Sequence, residues 1–359
     1  MANLGDVALL EEIAERSTKG KSLWALGWER LRRKKLAMTS LVIVSLFYLF
    51  GIVGPFFAPY SYSAQNLDAA RQPAWIMQPL CAAFSAIDLF EARSRLPQST
   101  PSTDHLLGTD RLGRDLLSRI IWAMRTSAIV SLATILTGSI FLGVGLGAIS
   151  GFVGRWVDSL IMRIGEIFLS FPGLLLVILI SATVRPRAIE WVNSFQEATG
   201  FHGLIESGFA DYLVVFGALA IFGWVGVARI IRGQILLLRE MDYVTAARAL
   251  GSGSGRLIVL HVLPNTMSLI IVLLSTSLGG AIGSELVLSF LGVGIQPPTP
   301  SFGIMTYESI GQGQTFLLDQ FGCRVAPEFL APMFIVSLVF FCFALLGDGL
   351  NDAFNPRAR

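Results

Sequence analysis

The sequence holds 359 residues, 53% of them hydrophobic and only 14% charged, with mean hydropathy +0.65 and a net charge of +2. Soluble domains carry roughly 25% charged residues, so the composition excludes a water-soluble globular protein and points to an all-α polytopic membrane protein. The basic residues form no stripe with interleaved aromatics, which argues against nucleic acid as a partner. Three cysteines without a CxxC pair and three scattered histidines offer no zinc or redox site.

In chain order, residues 1–20 are too polar for the apolar core of a cleavable signal, so the first long apolar run is expected to stay as an anchor. Ser22–Lys35 places Leu23, Trp24, Leu26 and Leu31 near helical spacing with basic residues between them. It reads as an amphipathic helix on the inner membrane surface, or as an extension of the first span. A membrane helix needs roughly 20 mostly apolar residues, and six spans are predicted at 37–58, 127–150, 164–184, 211–230, 266–287 and 330–348. The charge-free run Leu286–Tyr307 is not counted. Gly292, Gly294, Pro297, Pro298, Pro300 and Gly303 would break a helix there, and an irregular outer loop or re-entrant segment is expected.

The resulting organisation is an N-terminal tail (1–36), a first transmembrane helix (37–58), an extracytoplasmic loop (59–126), a five-helix core (127–350) and a C-terminal tail (351–359). With both termini cytoplasmic, inner segments hold 17 Lys and Arg and outer segments 10, of which 7 lie in the long first outer loop. Long loops weigh little in this rule. The cluster Arg30, Arg32, Arg33, Lys34, Lys35 before the first span is the strongest determinant.

Between the fourth and fifth spans lies a loop at 232–265. Arg239, Glu240 and Asp242 lead a helical stretch in which Ala246, Ala247 and Ala249 would let another protein approach closely. Gly251 suits a left-handed helix stop, and Gly253 and Gly255 keep the bend loose. A second short helix is expected from about Arg256 to His261, with the next span beginning at Pro264. The loop reads either as a knob that fits a partner's groove or as an ordinary solvated connection, although most connections run only ~4–6 residues.

Thr245-Ala246-Ala247, Gly251, His261 and Leu263-Pro264 keep every spacing of the EAA loop of bacterial ABC importer permeases. Thr245 and His261 depart from the general pattern and resemble its dipeptide, oligopeptide and nickel branch, where "YVxAARALG" and "HVLPN" recur. Three further segments resemble that branch. They are Gly108–Arg119 ("GTDxxGRDxxSR"), Glu285–Gly303 ("E-x-x-LSFLGLGxxPPxPxWG") and Leu346–Arg357 ("LGDGLRDALDPR"). Arg163, Glu166 and Phe171-Pro172 match "MRxxDxxLxFP", with Glu166 replacing Asp. Segments 70–100, 185–210 and 312–330 look like insertions relative to compact members.

The resemblance implies a type I ABC importer permease fold (MetI-like) in a bacterial inner membrane. It assigns ATPase coupling to Tyr243, Thr245, Ala246, Ala247, Arg248, Gly251, His261, Leu263 and Pro264. Asp110, Arg114, Asp115 and Arg119 are read as a scaffold of the outer entrance in preference to a substrate contact, with Asp115 and Arg119 at pairing distance on a short helix. Glu285 reads equally as lining the pathway or as holding the outer loop through an Arg pair. Cys81 and Cys323 fall in predicted outer loops, an oxidising compartment, and a disulfide between them is a hypothesis of that placement. Cys342 is a packing residue within the sixth span.

No GxxxxGK[ST] phosphate loop is present. Gly143-Val-Gly-Leu-Gly147 sits inside a span, where small residues let helices pack closely. ATP and magnesium would therefore belong to two partner ATP-binding subunits, and the chain itself has no assigned cofactor, metal or catalytic residue. Its other implied partners are a homologous permease, an extracytoplasmic substrate-binding protein and the lipid bilayer. The implied cargo is a peptide or a related small solute such as nickel. The rival reading is an ATP-independent channel or secondary carrier.

Overall fold

An apolar run in lipid must satisfy its backbone internally, and a helix does so within one segment. The computed structural model describes residues 23–77, 102–201, 203–205, 207–310 and 327–354, among which there is no β-strand, only an isolated bridge between Thr109 and Asp115. The helices are α1 (Leu23–Arg33), α2 (Lys35–Val53), α3 (Leu116–Thr134), α4 (Gly145–Val153), α5 (Arg155–Leu169) and α6 (Gly173–Thr199), followed by α7 (Phe209–Leu238), α8 (Asp242–Ala249), α9 (Ser254–Leu257), α10 (Leu263–Phe290), α11 (Phe302–Ile310) and α12 (Leu330–Phe354).

Among the described residues, five continuous stretches are long and apolar enough to cross a membrane: Lys35–Phe56, Leu116–Val153, Phe209–Leu238, Ser254–Phe290 and Leu330–Phe354. The predicted third span, 164–184, is not one helix. It is divided between α5 and α6, which are bent by 85° and make a sixth crossing only as a pair. The cause is Phe171-Pro172. Proline has no N–H to continue the ladder and disfavours helical φ/ψ in the residue before it, and Pro172 takes extended angles (φ −62°, ψ 106°) as the N-cap of α6.

Two other spans begin earlier than their apolar runs suggest. The second starts at Leu116, since Arg119 is buried in an ion network that tolerates charge inside a helix. The fifth starts at Ser254, because α9 runs through a π-turn (Ile258–Val262) directly into α10. The expected separate helix from Arg256 to His261 is therefore the inner end of the span. Pro264 follows that wide turn, which accommodates the missing N–H. The irregular segment after the fifth span is present from Leu291 to Ser301, but it ends in the unpredicted helix α11.

Small residues set the closest packing. Gly138, Gly143, Gly147 and Gly151 of the second span face α7, and a Cβ on Gly147 would lie 2.6 Å from the Ala228 carbonyl oxygen. Alongside, α5 runs antiparallel to α7 residue for residue: Asp158 pairs with Arg232, Gly165 meets Val225, and Phe168 meets Phe222. Cys342 is buried in the core shared by α2, α3, α10, α11 and α12.

The first amphipathic helix is no extension of the first span, since Lys34 (φ −92°, ψ 97°) breaks the chain between α1 and α2. Leu31 of α1 is buried with Ala37, Leu346, Leu350 and Ala353, Gly27 faces the Phe354 ring, and Lys34 pairs with Asp352. Trp28, Arg32 and Arg33 stay exposed. This helix is thus held by the end of α12 as well as presenting an amphipathic face. The cysteines Cys81 and Cys323, both terminal tails (1–22 and 355–359) and most of the segments 70–100 and 312–330 lie outside the described residues.

Candidate functional site

The loop between α7 and α10 is a short knob with a dry side and a wet side. Glycine carries the turn: Gly251 sits at φ +87°, the N–H of Ser252 donates to the Ala247 carbonyl, and that of Gly251 to Arg248. These bonds satisfy the carbonyls left open at the end of α8. Val244 is the anchor. It is fully buried among Phe152 of α4, Ile231 and Ile235 of α7, and Leu257 and Val262 at the inner end of the fifth span. Burying such a side chain stabilises the seat by roughly 1.5–3 kcal/mol.

On the other side Tyr243, Thr245, Ala246, Arg248, Gly251 and Pro264 are exposed, and Leu250 is 89% exposed. Ala247, His261 and Leu263 are half-buried. The Arg248 guanidinium lies 5.5 Å from the Phe152 ring centroid, and Asn265 Nδ2 donates to the Tyr243 hydroxyl at 3.4 Å and to the His261 carbonyl at 2.6 Å. Of the nine residues singled out in the sequence, Tyr243, Thr245, Ala246, Ala247, Arg248 and Gly251 are on this projection, while His261, Leu263 and Pro264 belong to the inner end of the fifth span beside it.

At the opposite end of the spans, Asp110 accepts from Arg114 Nε and Arg119 Nη1, both at 2.6 Å, and from the backbone N–H groups of Leu112 and Arg114. Glu308 of α11 accepts from both guanidiniums at 2.8 Å. The pairing expected between Asp115 and Arg119 is not made. Asp115 instead caps α3 through the Ser118 N–H and contacts His105 Nδ1 at 3.0 Å. An N-cap carboxylate faces the start of its helix, which turns it away from a residue one turn on. Beside the network lies a cavity of about 10 Å³, lined by Asp110, Arg114, Arg119, Met305, Glu308 and Glu328. That is room for about one water. Burial pushes the Glu328 carboxyl up to about 8. Asp110 adds to the rise, and Arg119 and Arg71 oppose it.

Both ends of the chain match described families. The family of binding-protein-dependent transport system inner membrane components matches residues 143–359. The chain belongs to that family. The N-terminal transmembrane domain of oligopeptide transport permease C matches residues 22–74 of this permease. It is 34% identical to the dipeptide transport system permease protein DppC of Bacillus subtilis over 92% of this chain and 85% of that protein. It is 32% identical to the oligopeptide transport system permease protein OppC of the same organism, over 100% and 95%. The glutathione transport system permease protein GsiD of Pectobacterium atrosepticum is 31% identical over 98% and 97%. The chain is a multi-pass membrane component of an ABC importer.

In the permease, Glu285 neither lines an opening nor pairs with an arginine among the described residues. It is fully buried and accepts from the hydroxyls of Ser127 at 3.1 Å and Ser289 at 2.8 Å. Ser289 Oγ in turn accepts from the Ile295 N–H. The acid therefore holds the outer loop through serines. Four further acids escaped the sequence reading. Glu308 and Glu328 belong to the outer network. Asp211 bridges Arg185 and the Gln296 N–H, and Asp158 joins Arg232 to Ser150. Glu308 carried a signal: it is the acid that ends the charge-free run after Glu285.

Proposed function

We propose that the chain is one of two homologous permeases forming the pathway of an ATP-driven importer of peptides in a bacterial inner membrane, moved by ATPase subunits that grip the knob between α7 and the fifth span, at 239–253 within the predicted loop 232–265. The carrying observation is the division of that knob. Val244 is locked into a core shared by three spans, while Leu250, six residues on, is 89% exposed. A solvated loop has no reason to keep both features. In this reading Tyr243, Thr245, Ala246, Ala247, Arg248, Gly251, His261, Leu263 and Pro264 form or brace the contact, ATP and magnesium reside on the partners, and a binding protein delivers solute to the outer mouth. The three relatives named above transport dipeptides, oligopeptides and glutathione, which favours peptides over nickel as cargo.

The test is Leu250→Asp, which changes an exposed side chain and leaves Val244 seated. Co-purification of ATPase subunits and ATP-dependent uptake of a labelled dipeptide are measured against the wild type. Loss of both with the permease still in the membrane is the expected result. Unchanged uptake, or uptake that needs no ATP, would overturn the reading in favour of a channel or secondary carrier.

A further inference from the structure

Helix α5 presents three faces, each one side chain wide. Asp158, Ile161, Met162, Gly165 and Phe168 face α7. Trp156, Leu160, Ile164 and Ile167 are exposed and apolar, as a lipid-facing surface should be. Ser159, Arg163, Glu166 and Ser170 are exposed and polar. Their spacing of four, three and four residues keeps them within roughly 60° of arc.

The register with α7 fixes the depth of this polar face. The charge-free stretch of α7 runs from Tyr212 to Ala228, and Gly165 packs on Val225. Val225 lies five residues from the middle of that stretch, about 7.5 Å at 1.5 Å per residue. The half-thickness of a hydrocarbon core is about 15 Å. Arg163 and Glu166, 79% and 57% exposed, thus sit in the inner half of the membrane with their heads 3.8 Å apart. A charge on lipid at such depth costs roughly 2.5–3.5 kcal/mol near a helix centre, so charged side chains in spans turn to protein or to water. Beside them is a cavity of about 280 Å³ lined by Asp158, Ser159, Met162, Arg163, Glu166 and Arg232. Asp158 and Arg232 hold each other tightly at 2.5 Å and are less exposed, whereas Arg163 and Glu166 face each other only at 3.8 Å and are the more exposed pair to meet whatever enters.

We infer that the stripe Ser159–Arg163–Glu166–Ser170 lines the inner half of the translocation pathway and engages the two charged termini of a zwitterionic peptide. Arg163 takes the carboxylate and Glu166 the ammonium. The solute class rests on the importer reading above, whereas the wet face does not.

The experiment uses the permease with its co-purified partners in proteoliposomes. Arg163→Cys, Glu166→Cys and Leu160→Cys are exposed to a charged, membrane-impermeant thiol reagent, with wild-type labelling as background. Labelling of the first two variants and not the third, with dipeptide uptake by each of those two about tenfold below wild type before modification, is expected for loss of one charge-assisted contact. Absence of labelling means that the face is covered by the second permease and overturns the inference. Labelling with unchanged uptake means a solvated face off the pathway and overturns it equally. Arg163→Glu and Glu166→Arg should each lower dipeptide uptake about tenfold; uptake indifferent to both reversals refutes the zwitterion assignment. Labelling is read without transport, so a wild type that takes up no peptide refutes the importer reading and leaves the labelling result decisive for the stripe.

Discussion

Asp110→Ala removes the acceptor of four hydrogen bonds at once. Two come from the guanidiniums of Arg114 and Arg119 at 2.6 Å, and two from backbone N–H groups at 2.9 Å. Both arginine side chains are at most 5% exposed, so water cannot replace the lost partner. The variant leaves two buried cations with the carboxylate of Glu308 as their remaining hydrogen-bonded side-chain partner among the described residues. Breaking a buried ion pair from one side costs about 3–5 kcal/mol. The control is Asp352→Ala, which removes the partner of Lys34 where the two side chains are 58% and 41% exposed. A surface pair of that kind contributes about 0–1 kcal/mol. The assay is the fraction of detergent-solubilised permease that stays monodisperse by size exclusion after heating through a temperature series. Asp110→Ala should lower the midpoint several times more than Asp352→Ala. Equal shifts would refute the view that this network is a load-carrying scaffold of the outer face.

Glu328 gives a pH dependence of defined sign. Its carboxyl titrates near 4.5 when unfolded and at about 8 when folded, so between those values the folded state holds the extra proton. Its stabilising contribution is complete below about pH 4.5 and is lost as pH rises through 8, by up to about 1.36 kcal/mol per unit. Glu328→Gln should flatten the heat-inactivation midpoint between pH 5 and 8, and an unchanged slope would contradict the assignment. At the seam between the second span and α7, Gly147→Val should cost about 1–3 kcal/mol through overpacking against Ala228. Gly145→Ala, which meets no atom within 4 Å, should be neutral or mildly stabilising, and both are read by the same heating series.

The parts of this architecture legible in the sequence are those governed by local rules. Because lipid selects for composition before packing, uniform apolar runs placed the starts of the spans at Lys35–Phe56, Phe209–Leu238 and Leu330–Phe354 within two residues, while the last two helices run eight and six residues past the predicted ends at 230 and 348. The glycine stop at Gly251 was legible for the same reason, since a left-handed turn favours one residue type. What was hidden depends on distant partners. Arg119 looks like a loop residue until Glu308, 189 positions away, and Asp110 neutralise it within α3. Asp115 and Arg119 have helical pairing spacing, yet the cap at Ser118 takes the carboxylate first. Glu285 invited a counter-cation and found hydroxyls instead, because α3 happens to bring Ser127 beside it. The bend at Ser170–Pro172 has a visible proline, but the size of its angle, 85°, is not encoded by any local pattern.

The knob and the outer loop are borne by one piece of chain. Ser254–Phe290 is continuous over 37 residues, about 55 Å of helix, and each end is clamped differently. The inner end is seated through Leu257 and Val262 on Val244, an apolar joint whose side-chain hydrogen bond to the knob, from Asn265 to the Tyr243 hydroxyl, is exposed and long at 3.4 Å. The outer end is tied by Glu285 to Ser127 of α3 and by Ser289 to the Ile295 N–H, directional bonds with no access to water. Apolar contacts can slide by a fraction of an ångström at little cost, whereas a buried hydrogen bond loses about 1–3 kcal/mol when a partner is left unpaired. The compliant joint therefore lies at the end that carries the exposed Leu250, and the rigid joint at the mouth. The π-turn at Ile258–Val262, followed by Pro264, lies within the compliant joint and interrupts the regular ladder of this span. A displacement applied to the knob must either be absorbed at that turn or move the outer loop with it.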